Sequence, residues 1–336
     1  MTMRWVKVLL IVAIIAALSA FAGFRYWQSR LEAPIAIEES TIYEVPRGAS
    51  FDQVMGDLDE RGIIAEAWPF RLLVRVFPDE LPALRAGEFM LEPGMSGRKV
   101  IGLLGSDNVV TYPLTIPEGW TFEQMRVLLA AAPKLQHSTA KMSDAEVMAA
   151  LGHPGEHPEG RFFPDTYQYH KGISDLEILR QAYQRMEKTL AAVWAERDDG
   201  LVIDSAYEAL ILASLIERET GVDGERHRIA GVFERRLERG MRLQTDPTVI
   251  YGLGDDYDGN ITRADLRRST PYNTYVIPGL PPTPIAMPGR AALEAAVHPA
   301  EGDALYFVAT GDGGHHFSST LREHNAAVQR YILNRR

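Results

Sequence analysis

From Val8 to Phe24 the chain reads VLLIVAIIAALSAFAGF, without a charge, a length at the lower limit for a helix that spans a bilayer. Arg4 and Lys7 precede the run. Trp5, Tyr26 and Trp27 flank it as interfacial aromatics, and Arg25 and Arg30 soon meet Glu32, Glu38 and Glu39. The pattern predicts a single-pass anchor through residues 8–24, N-terminus inside, with everything after about Leu31 on the far side of the inner membrane. Ala20-Phe21-Ala22 is A-x-A-like, so a cleaved signal peptide is the competing reading; the apolar run exceeds the usual signal-peptide core, which favours the anchor. Residues 28–40 then read as a short polar tether.

Beyond the tether the pattern repeats. YEVPRGASFDQVMGDL (Tyr43 to Leu58) and LTIPEGWTFEQMRVLL (Leu114 to Leu129) share one frame, and MLEPGMSGRKVIGLL (Met90 to Leu104) is a looser copy. In each, an extended apolar segment ends at a Pro-Gly turn, and Ser50, Thr121 or Ser96 falls where an N-cap starts an amphipathic helix. The frame predicts strand, turn and helix, and it marks residues 41–130 as one small subdomain. Such a unit is either a binding module or a packing spacer; its fold alone does not decide.

In the remaining stretch, 131–336, helical periodicity dominates. Leu176, Leu179, Tyr183, Met186, Leu190 and Val193 recur at helical spacing over Asp175 to Trp194. His153 and His157 are spaced i,i+4, but Pro154 and Pro158 prevent the helix that would align them on a metal, so they read as loop residues. SAYEALILASLIERET (Ser205 to Thr220) predicts a strong helix capped by Gly221. At about 100° per residue, Ile211, Leu212, Leu215 and Ile216 share one arc with Glu219 near its centre, whereas Glu217 falls beside Ser214 and Arg218. A carboxyl among apolar neighbours at the negative end of a helix is pushed toward its protonated form, which is what a general acid needs. The alternative from spacing alone is a frayed last turn with Glu219 facing solvent.

Ile229, Val232, Phe233 and Leu237 then form a stripe on a helix that Gly240 ends. In MRLQTDPTVIYGLG (Met241 to Gly254) a polar loop closes on Asp246-Pro247, where Asp246 either N-caps the next helix or faces a ligand. TPYNTY, GLPPTPIAMPG and GDGGHHF place amides, hydroxyls and rings on stiff loops, a chemistry suited to sugars. His315, His316 and His324 lack metal-ligand spacing with a nearby carboxylate and read as loop hydrogen-bonding residues.

At 336 residues the chain suggests two folded units, and its 46% apolar and 24% charged residues suffice for a sizeable core. A formal net charge of −10 argues against nucleic acid, whose phosphates need clustered cations. Zero Cys excludes disulfides, thiol catalysis and thiolate metal sites.

LASLIERET, RLQTDPTVIYG, TPYNTY, GLPPTPI, His298-Pro299 and LYFVATGDGGHHFSSTLREHNAAV, with RFFPDTY upstream, together resemble the endolytic murein transglycosylase family, also called MltG or YceG-like. The resemblance is specific from about Gly160 onward and looser over 40–130. It implies an α+β chain: a transmembrane anchor over 1–27, a LysM-like subdomain over 41–130 and a YceG-like mixed α/β catalytic domain over 131–336. It puts the catalytic glutamate on Glu219, the residue that helix geometry also singles out. Arg218 stands where Lys is frequent in the family, which leaves the charge intact. The implied activity is lytic cleavage between N-acetylmuramic acid and N-acetylglucosamine within nascent strands in the bacterial periplasm, terminating strand elongation without cofactor or metal. Peptidoglycan synthases are the implied partners. Gln244, Asp246, Tyr251, Asn273 and Tyr275 are the candidates for holding sugar or stabilising the transition state. A lysozyme-like muramidase using Glu219 and Asp246, and a wall-binding module without catalysis, are the alternatives.

Overall fold

The structure is a computed structural model that describes residues 3–80 and 82–334, and the apolar run of residues 8–24 lies within its first helix. Helix α1 (Met3–Leu31) has a mean hydropathy of 2.5 in its most apolar window, and it is long and apolar enough to cross a membrane. It also continues past the apolar run. Trp27 and Leu31 are buried, and the Trp27 indole N–H donates to Pro69 O at 2.9 Å.

The chain divides into two compact units, Met1–Tyr112 and Pro113–Arg336. In the first, β1 (Thr41–Val45) is followed by α2 (Phe51–Glu60), α3 (Trp68–Val76), β2 (Gly87–Leu91) and α4 (Gly97–Leu104). The two strands pair antiparallel, from Thr41 opposite Leu91 to Val45 opposite Gly87. Tyr43, Met55, Leu58, Phe70, Phe89, Leu91 and Ile101 form the core together with Trp27, Leu31 and Ile35. Phe70 sits so close over Gly97 that a Cβ there would come within 2.3 Å of its ring. Residues 28–40 are therefore not a free tether: Leu31 and Ile35 are apolar enough to be drawn into the core, and Ile35 and Ala36 bond Met95 O at 2.8 Å and Ile63 O at 2.9 Å.

Strand β3 (Thr111–Thr115) begins at the division and pairs with β4 (Thr166–His170). The second unit continues with α5 (Phe122–Ala131) and α6 (Asp144–Leu151). The second frame copy thus belongs to this unit and not to a subdomain ending at 130, because Phe122 stacks on Phe162 at 4.9 Å and Met125 and Leu129 are buried. Ser50, Ser96 and Thr121 do hold the N-cap positions that their frames predict, the first and last in reciprocal capping boxes with Gln53 and Gln124.

The remaining elements are α7 (Asp175–Ala195), α8 (Ala206–Glu219), α9 (Arg226–Glu238), α10 (Asp246–Leu253), α11 (Arg290–Val297), an antiparallel pair β5 (Tyr306–Ala309) and β6 (His315–Ser318), and α12 (Leu321–Val328). Gly240, at φ 64°, ends α9 as its position predicts. Instead of burying one stripe, α8 is enclosed on all sides: every residue from Ala209 to Ile216 is buried, with α9, α11 and α7 packed around it. Its first turn (Ala206, Tyr207, Glu208) and its last turn emerge from the core.

Candidate active site

Since α8 is buried all round from Ala209 to Ile216, the carboxylates of its last turn appear as it leaves the core, and their fates differ. Glu217 turns inward and braces the fold. Its side chain is 5% exposed, accepts from Gly289 N–H at 2.9 Å and lies 3.5 Å from the Arg226 guanidinium. Glu219 instead reaches a cavity of about 320 Å³. The helix stops there without the predicted glycine cap. Thr220 is extended at φ −145° and ψ 139°, and Gly221 is not left-handed. The Thr220 hydroxyl bonds Glu225 at 3.3 Å and accepts from Val222 N–H at 3.0 Å, so the side chain makes the turn that Gly221 was expected to make.

Burial pushes the Glu219 carboxyl up to about 7, and the Asp246 charge adds to the rise. A hydrogen bond from Thr245 and the charges of His315 and Arg236 oppose it. The Thr245 hydroxyl donates to Glu219 Oε1 and is itself fixed by buried threonines. Thr245 N–H donates to Thr274 Oγ1 at 3.0 Å, Thr248 Oγ1 donates to Thr245 O at 2.7 Å, and the hydroxyls of Thr248 and Thr274 lie 2.8 Å apart. With Oε1 occupied by a donor, Oε2 is the oxygen left to carry a transferable proton.

Gln244 and Asp246 flank Thr245, and both line the cavity. Gln244 is the one non-glycine among the described residues with positive φ, 53°, a conformation that costs about 1–3 kcal/mol and persists where its surroundings enforce it. Here Gln244 N–H bonds Thr274 O at 3.2 Å. The N-cap reading of Asp246 does not hold: Thr245 occupies the cap position of α10, and Asp246, its first residue, accepts from the Tyr275 hydroxyl at 2.6 Å. Arg236 and His324 complete the polar lining, and Leu243, Tyr306, Phe307 and Leu321 the apolar one.

Two sequence-derived candidates lie elsewhere. Tyr251 follows Asp246 by five positions, about 140° around a helix, and so faces away from the cavity. Its hydroxyl donates to Glu159 at 3.1 Å, a carboxyl that burial pushes up to about 7. Asn273 is 1% exposed and braces its loop, its amide donating to the carbonyls of Asp265, Leu266 and Arg268 at 3.1, 3.3 and 2.7 Å. It reaches the site only indirectly, because its Oδ1 accepts from Tyr275 N–H at 2.9 Å.

The sequence also missed residues. Thr245, within the polar loop before Asp246, and Arg236, on α9, were not among the sequence-derived candidates. His324 belongs to α12 rather than a loop, with its ring stacked 5.2 Å from Tyr306. His315 does meet a carboxylate, Glu225, at 2.8 Å, across a sequence separation that spacing alone does not bridge. His153 and His157 occupy the loop before Gly160, His153 beside Tyr183 at 3.1 Å and His157 accepting from Glu159 N–H at 3.2 Å. Among the described residues no three His, Asp or Glu side chains gather as a metal ion requires.

The cavity thus offers a carboxyl that burial pushes toward its protonated form, an Asp bound by a tyrosine, and apolar walls. That set can donate a proton to an ether oxygen and stabilise positive charge on the carbon left behind.

Among known proteins, the YceG-like family profile matches residues 43–330 of this chain. An endolytic murein transglycosylase of Bacillus subtilis (strain 168) is 32% identical over 332 residues, covering 93% of this chain and 91% of its own. One of Streptococcus pneumoniae serotype 2 (strain D39) is 26% identical over 358 residues, covering 94% of this chain and 63% of its own. A crystal structure of a YceG-like protein from Listeria monocytogenes matches with a TM-score of 0.55 at 32% identity, over 86% of this chain and 99% of that one.

Proposed function

The chain belongs to the YceG-like family, and on that footing we propose that it is an endolytic murein transglycosylase, cutting between N-acetylmuramic acid and N-acetylglucosamine within peptidoglycan strands and leaving 1,6-anhydro ends. The observation that carries the reading is Glu219, a carboxyl pushed up to about 7 by burial and opening on a cavity at the end of a rigid helix. Its proton, on Oε2, passes to the glycosidic oxygen as the C1–O bond breaks and the muramoyl ring takes on oxocarbenium character. The Asp246 carboxylate, oriented by Tyr275, opposes that positive charge. Glu219, now ionised, accepts the proton of the sugar's own C6 hydroxyl as that oxygen bonds to C1. No water is consumed, and an intramolecular nucleophile has the advantage of high effective concentration.

One observation favours a second reading. Asp246 is another carboxylate on the same cavity, and a muramidase would use it to position water. Mass spectrometry of digested glycan strands separates the two. Anhydro products, lighter than hydrolysis products by one water and non-reducing, are expected; reducing muramic acid ends as the main product would transfer the assignment to the hydrolase.

The proposal extends to place and company. With α1 as a single-pass anchor, the remainder of the chain works in the periplasm beside the peptidoglycan synthases, where cutting a growing strand terminates its elongation.

Thr245→Val offers a test of proton placement. Losing the hydroxyl that favours the ionised form raises the Glu219 pKa further. Because the acid must start protonated, the alkaline limb of kcat/KM then moves to higher pH by about one unit. Thr245→Ser is expected to leave the limb in place, and a pH–rate profile of the three proteins reads the difference.

A further inference from the structure

His324 enters the cavity from the first turn of α12, which Thr320 and Glu323 lock in a reciprocal capping box. Leu321, three positions earlier, shares that face of the helix and also lines the cavity. The His324 ring stacks on Tyr306 at 5.2 Å with 26° between the planes, so a strand as well as a helix fixes its orientation. Its two nitrogens meet different surroundings. Nδ1 is sealed from solvent and has no hydrogen-bond partner among the described residues, whereas Nε2 is not sealed. Burial, helped by the Arg236 charge, holds the imidazole below its usual range and so in its neutral form. A neutral imidazole carries a single N–H. On Nδ1 it would be an orphaned buried donor, a rarer and costlier defect than an under-satisfied acceptor. On Nε2 it is open to the cavity. His324 is thus a fixed, uncharged donor presented beside Leu321 and Tyr306.

Every sugar of the proposed substrate, N-acetylmuramic acid and N-acetylglucosamine alike, carries an acetamido group, whether or not stem peptides are attached. The carbonyl of that group accepts a hydrogen bond, and its methyl is apolar. A nitrogen that only donates, set beside a leucine and an aromatic ring, matches both ends of the group; a sugar hydroxyl brings no methyl to bury. Removing the acetyl leaves an amine that takes up a proton. Such an ammonium has no lone pair to accept from Nε2–H, and it shares its charge sign with Arg236 on the same cavity. We infer that His324 is a specificity-determining residue whose Nε2–H binds the carbonyl of a sugar acetamido group while Leu321 and Tyr306 receive its methyl, so that N-acetylated strands are cleaved in preference to N-deacetylated ones. The inference rests on the transglycosylase reading and adds to it the strand chemistry that the cavity selects, a chemistry that growing, peptide-bearing strands already carry.

The test uses the full chain in detergent micelles and two substrates: uncrosslinked peptide-bearing glycan strands, and the same strands after enzymatic N-deacetylation. The wild type is expected to show a kcat/KM about 10-fold or more higher on the acetylated strands. His324→Phe keeps a ring to stack on Tyr306 but has no N–H, and in it that preference is expected to fall by about fivefold or more. His324→Gln, whose amide nitrogen reaches about as far as Nε2, is expected to hold the preference within about threefold of the wild type. The ratio is the readout because a role in packing alone would lower both rates together, and repulsion between Arg236 and the deacetylated sugar enters all three proteins alike. A wild-type ratio near one overturns the inference. So does a ratio that His324→Phe leaves unaltered, or one that His324→Gln loses as fully as His324→Phe. Failure of the parent reading has its own signature: no cleavage of either strand by the wild type, or reducing products from both.

Discussion

Glu219→Gln is expected to lower kcat for strand cleavage by about 10³- to 10⁴-fold, since a positioned acid or base contributes about 10²- to 10⁴-fold and this one residue serves as both in turn. The amide keeps the shape of the carboxyl, and its oxygen still accepts from the Thr245 hydroxyl. It has no proton to yield to the leaving oxygen and cannot take one back. The same substitution is expected to stabilise the fold at alkaline pH. Glu219 binds its proton more tightly in the folded chain, near 7, than in the unfolded chain, near 4.5. The wild type therefore loses stability as pH rises between those values and stays at the lower level above them. Glutamine has no such titration. Melting curves are expected to converge below about pH 4.5 and to favour the variant by about 1–3 kcal/mol at pH 8. A loss of activity accompanied by lower stability at every pH would instead point to damaged packing.

Asp246→Asn is the second large effect. It removes the negative charge placed to face the cationic ring, and kcat/KM is expected to fall by about 10²-fold. The pH profile carries the diagnostic sign. The Asp246 charge raises the Glu219 pKa, so neutralising it lets that value fall, and the alkaline limb moves to lower pH. Thr245→Val moves it the other way. Opposite displacements from adjacent residues tie both to the Glu219 proton, and equal displacements would separate at least one of them from it.

What the sequence revealed and what it concealed follow from where each signal resides. Ser50, Ser96 and Thr121 were legible as caps because capping is local: the hydroxyl and the amide it satisfies lie within one turn. Glu219 was legible because helix periodicity fixes which side chains share a face. The end of α8 was less so, since a threonine paired with Glu225 replaced the expected glycine. Tyr251 and Asn273 were grouped with Asp246 by shared chemistry, but one is carried to the far side of α10 and the other is consumed in bracing its loop. Arg236, Tyr306, Phe307 and His324 enter the cavity from α9, β5 and α12, and that meeting is tertiary. The buried ring of α8 reads as an amphipathic stripe for the same reason, since periodicity cannot count the helices that will surround it.

The first helix has a mechanical consequence. Its 29 residues rise about 44 Å at 1.5 Å each, more than the roughly 30 Å of a bilayer's oily interior. The surplus does not dangle: Trp27 and Leu31, on the same rod, are keyed into the first folded unit. A protein leashed to a membrane by slack chain sweeps out a volume, whereas one whose mooring is also a beam of its own framework keeps a set altitude. Were this helix to span a bilayer, the first unit would be joined to the membrane by continuous helix, and its distance would be set by helical pitch instead of by the statistics of a random coil.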